Sequence, residues 1–168
     1  LNSITAEIKE LSERGFKEIT LLGQNVNSYN DNGNDFPDLL AACAAVDCSI
    51  RIRFTTSHPR DFSDKLIYTI ADNPNICNYI HLPVQSGSNR ILELMNRNYT
   101  VEHYLKMIEK AKEIIPGVSF STDIISGFPS ETEDDHKATI ELMKKVRYDG
   151  AFMFKYSPRE GTKAFKMQ

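Results

Sequence analysis

The 168-residue sequence has no tryptophan and only three cysteines, Cys43, Cys48 and Cys77. Their odd number argues against a disulfide framework, and they lack the close pairing of a metal motif, so they read as reduced thiols. An excess of basic residues is equally absent: 20 Lys and Arg stand against 23 Asp and Glu, a formal charge of −3. Such a balance gives the chain no electrostatic footprint for nucleic acid, and leaves that role open to a neighbouring domain. No apolar run approaches the roughly 20 residues that cross a bilayer, and no signal peptide is visible. Repeats and low-complexity stretches are missing too. The chain opens on Leu1 rather than Met and closes on Gln168 without a tail signal, so the expectation is a single domain, residues 1–168, cut from a longer protein.

What is present is a regular alternation of strand and helix signals. Ile80, Leu82 and Val84 alternate with His81, Pro83 and Gln85, the period-2 pattern of a strand, with Pro83 near its end. Gln85-Ser86-Gly87-Ser88 is then a polar turn, and Ser88 is the expected N-cap of a short helix carrying Ile91, Leu92, Leu94 and Met95. Before it, Ile4, Ile8 and Leu11 mark a helix stopped by Gly15, residues 17–22 a strand, and 30–35 a surface loop. Asp35 caps a helix with Pro37 in its first turn and Leu39, Leu40, Cys43 and Val46 on its buried stripe. Residues 50–56 form the next strand, and Leu66, Ile67 and Ile70 the next helix. After it, a helix from about Thr100, a strand over 118–125 and a final strand over 151–156 complete the pattern. The last helix is expected to start on a capping box of Ser130 and Glu133 and to end at Asp149-Gly150, its acidic first turn matching the helix dipole.

Five strands alternating with helices predict an α/β fold with a parallel sheet and right-handed crossovers. The first choice is a partial (β/α) TIM-like barrel, the second a flat doubly wound sheet. The strand faces favour the first. A doubly wound sheet is apolar on both faces, whereas Arg51, Arg53, Thr55, His81, Gln85, Ser121 and Asp123 stand opposite apolar partners on their own strands. A polar lumen implies either a polar ligand within it or mutual pairing, for example of Arg53 with Asp123. His58 and His81, without a carboxylate at fixed spacing, read as structural rather than metal-binding.

The segments 21–29 (LLGQNVNSY), 53–59 (RFTTSHP), 84–88 (VQSGS), 95–99 (MNRNY), 123–129 (DIISGFP) and 156–162 (YSPREGT) resemble, in order, the radical S-adenosylmethionine (SAM) methylthiotransferases. Gly23-Gln24-Asn25-Val26 and residues 55–59 look like the branch that thiomethylates isopentenyl-adenosine in tRNA. The branch acting on a ribosomal-protein aspartate differs there. The family's Cys-x-x-x-Cys-x-x-Cys loop and first barrel strand do not occur in these residues, and Cys43, Cys48 and Cys77 do not match that loop. Also absent are the family's N-terminal methylthiotransferase domain and its C-terminal nucleic-acid-binding TRAM barrel.

The resemblance implies SAM and two 4Fe–4S clusters as cofactors of the whole enzyme, with the cluster cysteines upstream of this chain. It implies a tRNA substrate engaged through the missing C-terminal domain, an electron donor, no membrane and a cytoplasmic location. Gly23 and Gln24 would meet the methionyl ammonium through backbone, Gln85 and Asp123 the ribose, Arg97 the methionyl carboxylate, and Gly127 the adenine side. The complete enzyme would cleave SAM to a 5′-deoxyadenosyl radical, which removes hydrogen from adenine C2 before a methylated sulfur is inserted. No catalytic acid or base is identified here, and these residues alone are expected to be inactive. The alternatives are a methylthiotransferase acting on a ribosomal-protein aspartate and a non-catalytic SAM- or tRNA-binding module.

Overall fold

The computed structural model describes residues 1–55 and 57–167. Thr56, expected at the end of a strand and within the 55–59 motif, lies outside the described residues. In chain order the elements are α1 (Asn2–Glu13), β1 (Glu18–Leu21), β2 (Asn30–Asp31), β3 (Asn34–Asp35), α2 (Phe36–Val46), β4 (Arg51–Phe54) and α3 (Asp64–Asp72). They continue with β5 (Tyr79–His81), α4 (Asn89–Leu94), α5 (Val101–Ile114), β6 (Ser119–Ser126), α6 (Glu133–Val146) and β7 (Gly150–Lys155).

β1 pairs in parallel with β4, and β5, β6 and β7 form a second parallel group in that order. A parallel bridge joins the two groups: the Ile52 amide donates to Asn75 O at 2.8 Å and the Cys77 amide to Ile52 O at 2.9 Å. The five strands therefore lie side by side in chain order. Right-handed crossovers between successive neighbours put every helix on the same face, and α1 packs on α2, α2 on α3 and α3 on α5. A doubly wound sheet reverses its strand order and covers both faces. This array does neither, so the partial barrel is the fold.

The helix-facing side is the core. Ile52, Phe54, Ile80, Leu82, Val84, Phe120 and Ile124 are buried there with Ile8, Leu40, Leu66, Ile108 and Leu142. The concave side carries Glu18, Arg51, Arg53, Tyr79, His81, Ser121 and Asp123, as the alternation predicts. Its cations are satisfied within the fold, but not as proposed: Arg53 Nε pairs with Glu18 Oε1 at 3.0 Å and Arg51 with the same carboxylate at 3.4 Å, whereas Asp123 faces His81. In-register parallel pairing brings β4 next to β1, and β6 lies beyond β5.

Other local expectations also need correction. Residues 30–35 form a hairpin, because Asn32 and Gly33 both take positive φ (51° and 85°), the geometry of a tight two-residue turn. The α6 capping box is Thr132 with Asp135, two residues later than expected, since Ser130 is left-handed (φ 66°) and outside the helix. That helix stops at a left-handed Arg147 (φ 56°). Asp149 instead opens β7, its amide donating to Phe120 O and its carboxylate accepting from the Phe120 amide, both at 2.8 Å. The caps at Asp35 and Ser88 stand where the sequence puts them, the first as a full capping box with Asp38, and Thr100, at the expected helix start, caps α5.

Candidate ligand site at the C-terminal ends of the strands

The β5 ladder stops at His81 rather than at Val84, and the reason is Pro83, which has no N–H to donate. Side chains take over its backbone partners. Thr122 Oγ1 accepts from the Val84 amide (2.9 Å) and donates to Leu82 O (3.1 Å), Tyr104 OH donates to Leu82 O (2.9 Å), and Tyr99 OH donates to Val84 O (3.0 Å). Burial pushes the Tyr99 hydroxyl up to about 12. Pairing resumes at Gln85, whose amide donates to Asp123 O and whose carbonyl accepts from the Ile125 amide, both at 2.9 Å. Gln85 is left-handed (φ 72°), a conformation costing a non-glycine residue about 1–2 kcal/mol, and only 7% exposed. No hydrogen bond to its side-chain amide occurs among the described residues.

The turn after it is clamped onto α6. A Cβ on Gly87 would lie 2.5 Å from Thr139 Cα, so glycine is required by close approach. The Gly87 amide donates to Thr139 Oγ1 at 2.9 Å. Asp135 accepts from Ser88 Oγ (2.5 Å), from the Thr132 amide and hydroxyl (2.9 and 2.6 Å) and from Arg90. Arg90 and these hydroxyl donors hold the Asp135 carboxyl well below the usual carboxylate range.

Arg97 is delivered by the end of α4. The Asn96 amide donates to Glu93 O (2.9 Å) and the Arg97 amide to Leu92 O (2.8 Å), a Schellman pair with Asn96 in the left-handed position (φ 58°). The guanidinium then donates from Nη1 to His58 Nε2 at 3.0 Å. The Arg60 amide points at the other ring nitrogen, Nδ1, at 3.2 Å. A neutral imidazole accepts at one nitrogen only, so the charge-assisted contact with Arg97 dominates. Burial, Arg97 and Arg60 together lower the His58 pKa and keep the ring neutral.

Asp123 projects from the middle of β6, its side chain 28% exposed, with Oδ1 3.5 Å from His81 Nε2. His81 Nδ1 in turn lies 2.8 Å from Ser121 Oγ, which is 2.6 Å from Tyr79 OH. Thus Gln85, Arg97 and Asp123, named from the sequence, line one cleft of about 590 Å³ with Ile125, Phe154, Tyr156 and Arg159. Gly23 lines a separate groove between α1 and β1, and Gln24 is exposed in the adjoining turn. Gly127 (φ 75°) follows β6 at the same end of the sheet, its amide held by the Glu131 carboxylate. It does not line the cleft.

From the sequence His58 and His81 read as structural only, and Phe154 and Tyr156 carried no assigned role. The 156–162 motif was the available signal, since Tyr156, Ser157, Arg159 and Thr162 all line the cleft. The Tyr156 hydroxyl oxygen is buried without a partner among the described residues, its ring edge-on to Phe128 at 5.2 Å.

A larger cleft of about 800 Å³ lies at the opposite, N-terminal ends, lined by Glu18, Arg51, Arg53, Cys48 and Cys77. Ligands of β/α proteins bind at the C-terminal ends, and the arginines at the other end are already paired. The smaller cleft fits a polar ligand such as SAM: it is of ligand size, and it offers a free amide, a guanidinium, a carboxylate and a partnerless hydroxyl. It does not fit an iron–sulfur cluster from this chain's own thiols, because Cys43 is buried in α2 and Cys48 and Cys77 sit at or near the far end.

Comparison with known proteins identifies the family and the fold. The chain is 53% identical over 167 residues to the tRNA-2-methylthio-N(6)-dimethylallyladenosine synthase of Chlorobium phaeovibrioides, covering 98% of this chain and 37% of that protein. It is 55% identical over 174 residues to the enzyme so named in Treponema denticola, covering 98% and 39%. The chain thus spans under two fifths of these relatives, and the resemblance to methylthiotransferases is borne out along nearly all of it. Among solved structures, coproporphyrinogen III oxidase from Escherichia coli, described as a radical SAM enzyme, superposes with a TM-score of 0.73 at 17% identity, covering 99% of this chain and 39% of that one. The radical SAM methyltransferase TsrM from Kitasatospora setae gives 0.72 at 14%, covering 92% and 30%, and shares the fold. The model of the radical SAM superfamily matches residues 1–143, and to that superfamily the chain belongs.

Proposed function

We propose that this chain is the SAM-binding core of an enzyme that places a methylthio group on N6-dimethylallyladenosine in tRNA. The observation that carries the reading is the 53–56% identity to synthases of that product along 96–99% of the chain. The cleft supports it, since its side chains match the parts of SAM. Asp123 accepts from the ribose hydroxyls, and Gln85, with its own backbone locked in the ladder, can donate and accept beside it. Arg97 offers a two-toothed donor to the methionyl carboxylate. Outside the cleft itself, backbone at Gly23 and Gln24 is assigned to the ammonium and Gly127 to the adenine side. Bound with a reduced 4Fe–4S cluster, SAM supplies the radical chemistry. The residues described here bind it, orient it and exclude water.

Two clusters, held by cysteines outside this chain, an electron donor, an N-terminal methylthiotransferase domain and a C-terminal TRAM barrel complete the proposed enzyme. The last of these reconciles a chain of charge −3 with a polyanionic substrate. No helix among the described residues is long and apolar enough to cross a membrane; the cytoplasmic location is itself proposed and follows from the tRNA substrate. The test is to incubate the reduced whole protein with SAM and dimethylallyladenosine-containing tRNA and measure 5′-deoxyadenosine and the methylthio nucleoside by mass spectrometry. Modification of a ribosomal-protein aspartate in place of the tRNA would overturn the substrate. Absence of 5′-deoxyadenosine would leave only a binding module.

A further inference from the structure

The concave face is polar on β1, β4 and β5, but on β7 it carries two phenyl rings in the open. Phe152 is 57% exposed and Phe154 55% exposed. Register places Phe152 beside Asp123 and Phe154 beside Ile125, so both rings point to the concave side. Met153, also exposed, pairs with Ile124 and points to the helix side. A helix laid on the convex face would cover Met153 and leave both phenyls bare. They therefore belong to whatever enters the concave face. Phe152 is braced edge-on by the His81 ring (centroids 6.0 Å apart, 75° between planes), and His81 is anchored by Ser121. Phe154 lines the cleft beside Asp123.

We propose that Phe152 and Phe154 form an aromatic ledge that receives the target base and its N6-dimethylallyl group, and so select the prenylated adenosine over plain adenosine. The inference rests on the function proposed above and adds the residues that read its substrate. A base must leave its stack to be modified, and a flipped base is held by stacking on aromatic rings. A branched five-carbon substituent adds apolar surface that polar residues such as Ser121 and Asp123 cannot satisfy and phenyl rings can. The ledge also adjoins the residues proposed to hold the SAM ribose, so a base on it lies next to the reactive end of that ligand.

The test measures, in the whole protein, the affinity for an anticodon stem–loop RNA carrying N6-dimethylallyladenosine and for the same RNA carrying adenosine. The wild type should prefer the prenylated RNA, since one apolar group in a pocket is worth roughly 10–200-fold. Phe152→Ala and Phe154→Ala should each shrink that ratio several-fold, while Phe154→Leu, which keeps apolar surface, should retain most of it. An unchanged ratio in both alanine variants would overturn the ledge. So would a large drop in melting temperature with the ratio intact, which would show the rings covered by another segment of the chain. A wild type that transfers methylthio groups to tRNA but has no preference would sink the ledge alone. A wild type that transfers none would sink the function reading.

Discussion

The two ends of the sheet carry similar side chains in opposite states. At the N-terminal ends Arg51 and Arg53 share Glu18, and the charge is neutralised inside the fold. At the C-terminal ends Arg97 donates to a neutral imidazole, and among the described residues Gln85 has no side-chain partner and Asp123 has only a 3.5 Å contact with His81. Both ends are open clefts, and the N-terminal one is larger, about 800 Å³ against 590 Å³. Volume therefore does not mark the site. What marks it is polar capacity left unspent, at positions fixed by strain and close packing.

The largest expected effect tests that fixing. Gly87→Ala pushes a methyl against the α6 backbone and should destabilise the protein by about 3 kcal/mol, the upper end for overpacking. Gly117→Ala, at the other end, meets no atom within 4 Å and pays only for its left-handed φ of 66°, about 1 kcal/mol. Denaturant unfolding of the two variants gives the comparison, and equal losses would mean that the turn is not clamped.

Next come the ligand contacts. Asp123→Ala and Gln85→Ala should each weaken SAM binding by about 1–3 kcal/mol, measured by equilibrium dialysis on the whole enzyme. If both bind normally with the fold intact, the ribose assignment is wrong. Arg97→Lys keeps the charge and loses the fork, and a loss of roughly tenfold is expected at a bidentate carboxylate site. A solvated arginine would be indifferent to the change.

Smaller is the pH effect of His58. Its folded pKa lies below the ordinary 6.5, so the unfolded chain binds the proton more readily. The native state should therefore keep its stability above 6.5 and lose part of it as pH falls from there toward the folded value. Unfolding curves of His58→Gln should show a shallower decline, and identical curves would remove His58 from the account. Smallest of all, Arg53→Ala should cost less than about 1 kcal/mol, as half-exposed ion pairs do, and leave SAM affinity unchanged. A change in SAM binding there would erase the contrast between the two ends.

Much of this was legible because it is written in short-range signals. Caps at Asp35 and Ser88, the helix start near Thr100 and the acidic start of α6 each depend on residues within one turn, and each formed. Where two local signals competed, the sequence could not choose. Ser130 and Thr132 both precede an acidic residue at capping distance, and the left-handed turn at Ser130 decided for Thr132. The break of β5 was foreshadowed by Pro83, but its repair by Thr122, Tyr104 and Tyr99 spans 15 to 40 residues of chain.

The sequence by itself determined the order of strands and helices, the polarity of the two strand faces and three side chains of the candidate site. These follow from period, cap chemistry and motif, which act along the chain. Only the tertiary structure decided which charges neutralise one another. Arg53 meets Glu18 because parallel register puts their strands side by side, whereas Asp123 lies beyond β5 and meets His81. It also brought His58, 39 residues away, to Arg97, and set the β7 phenyls beside Asp123. Ion pairs and ring contacts act over a few ångströms, and only the folded array fixes which distant residues come that close.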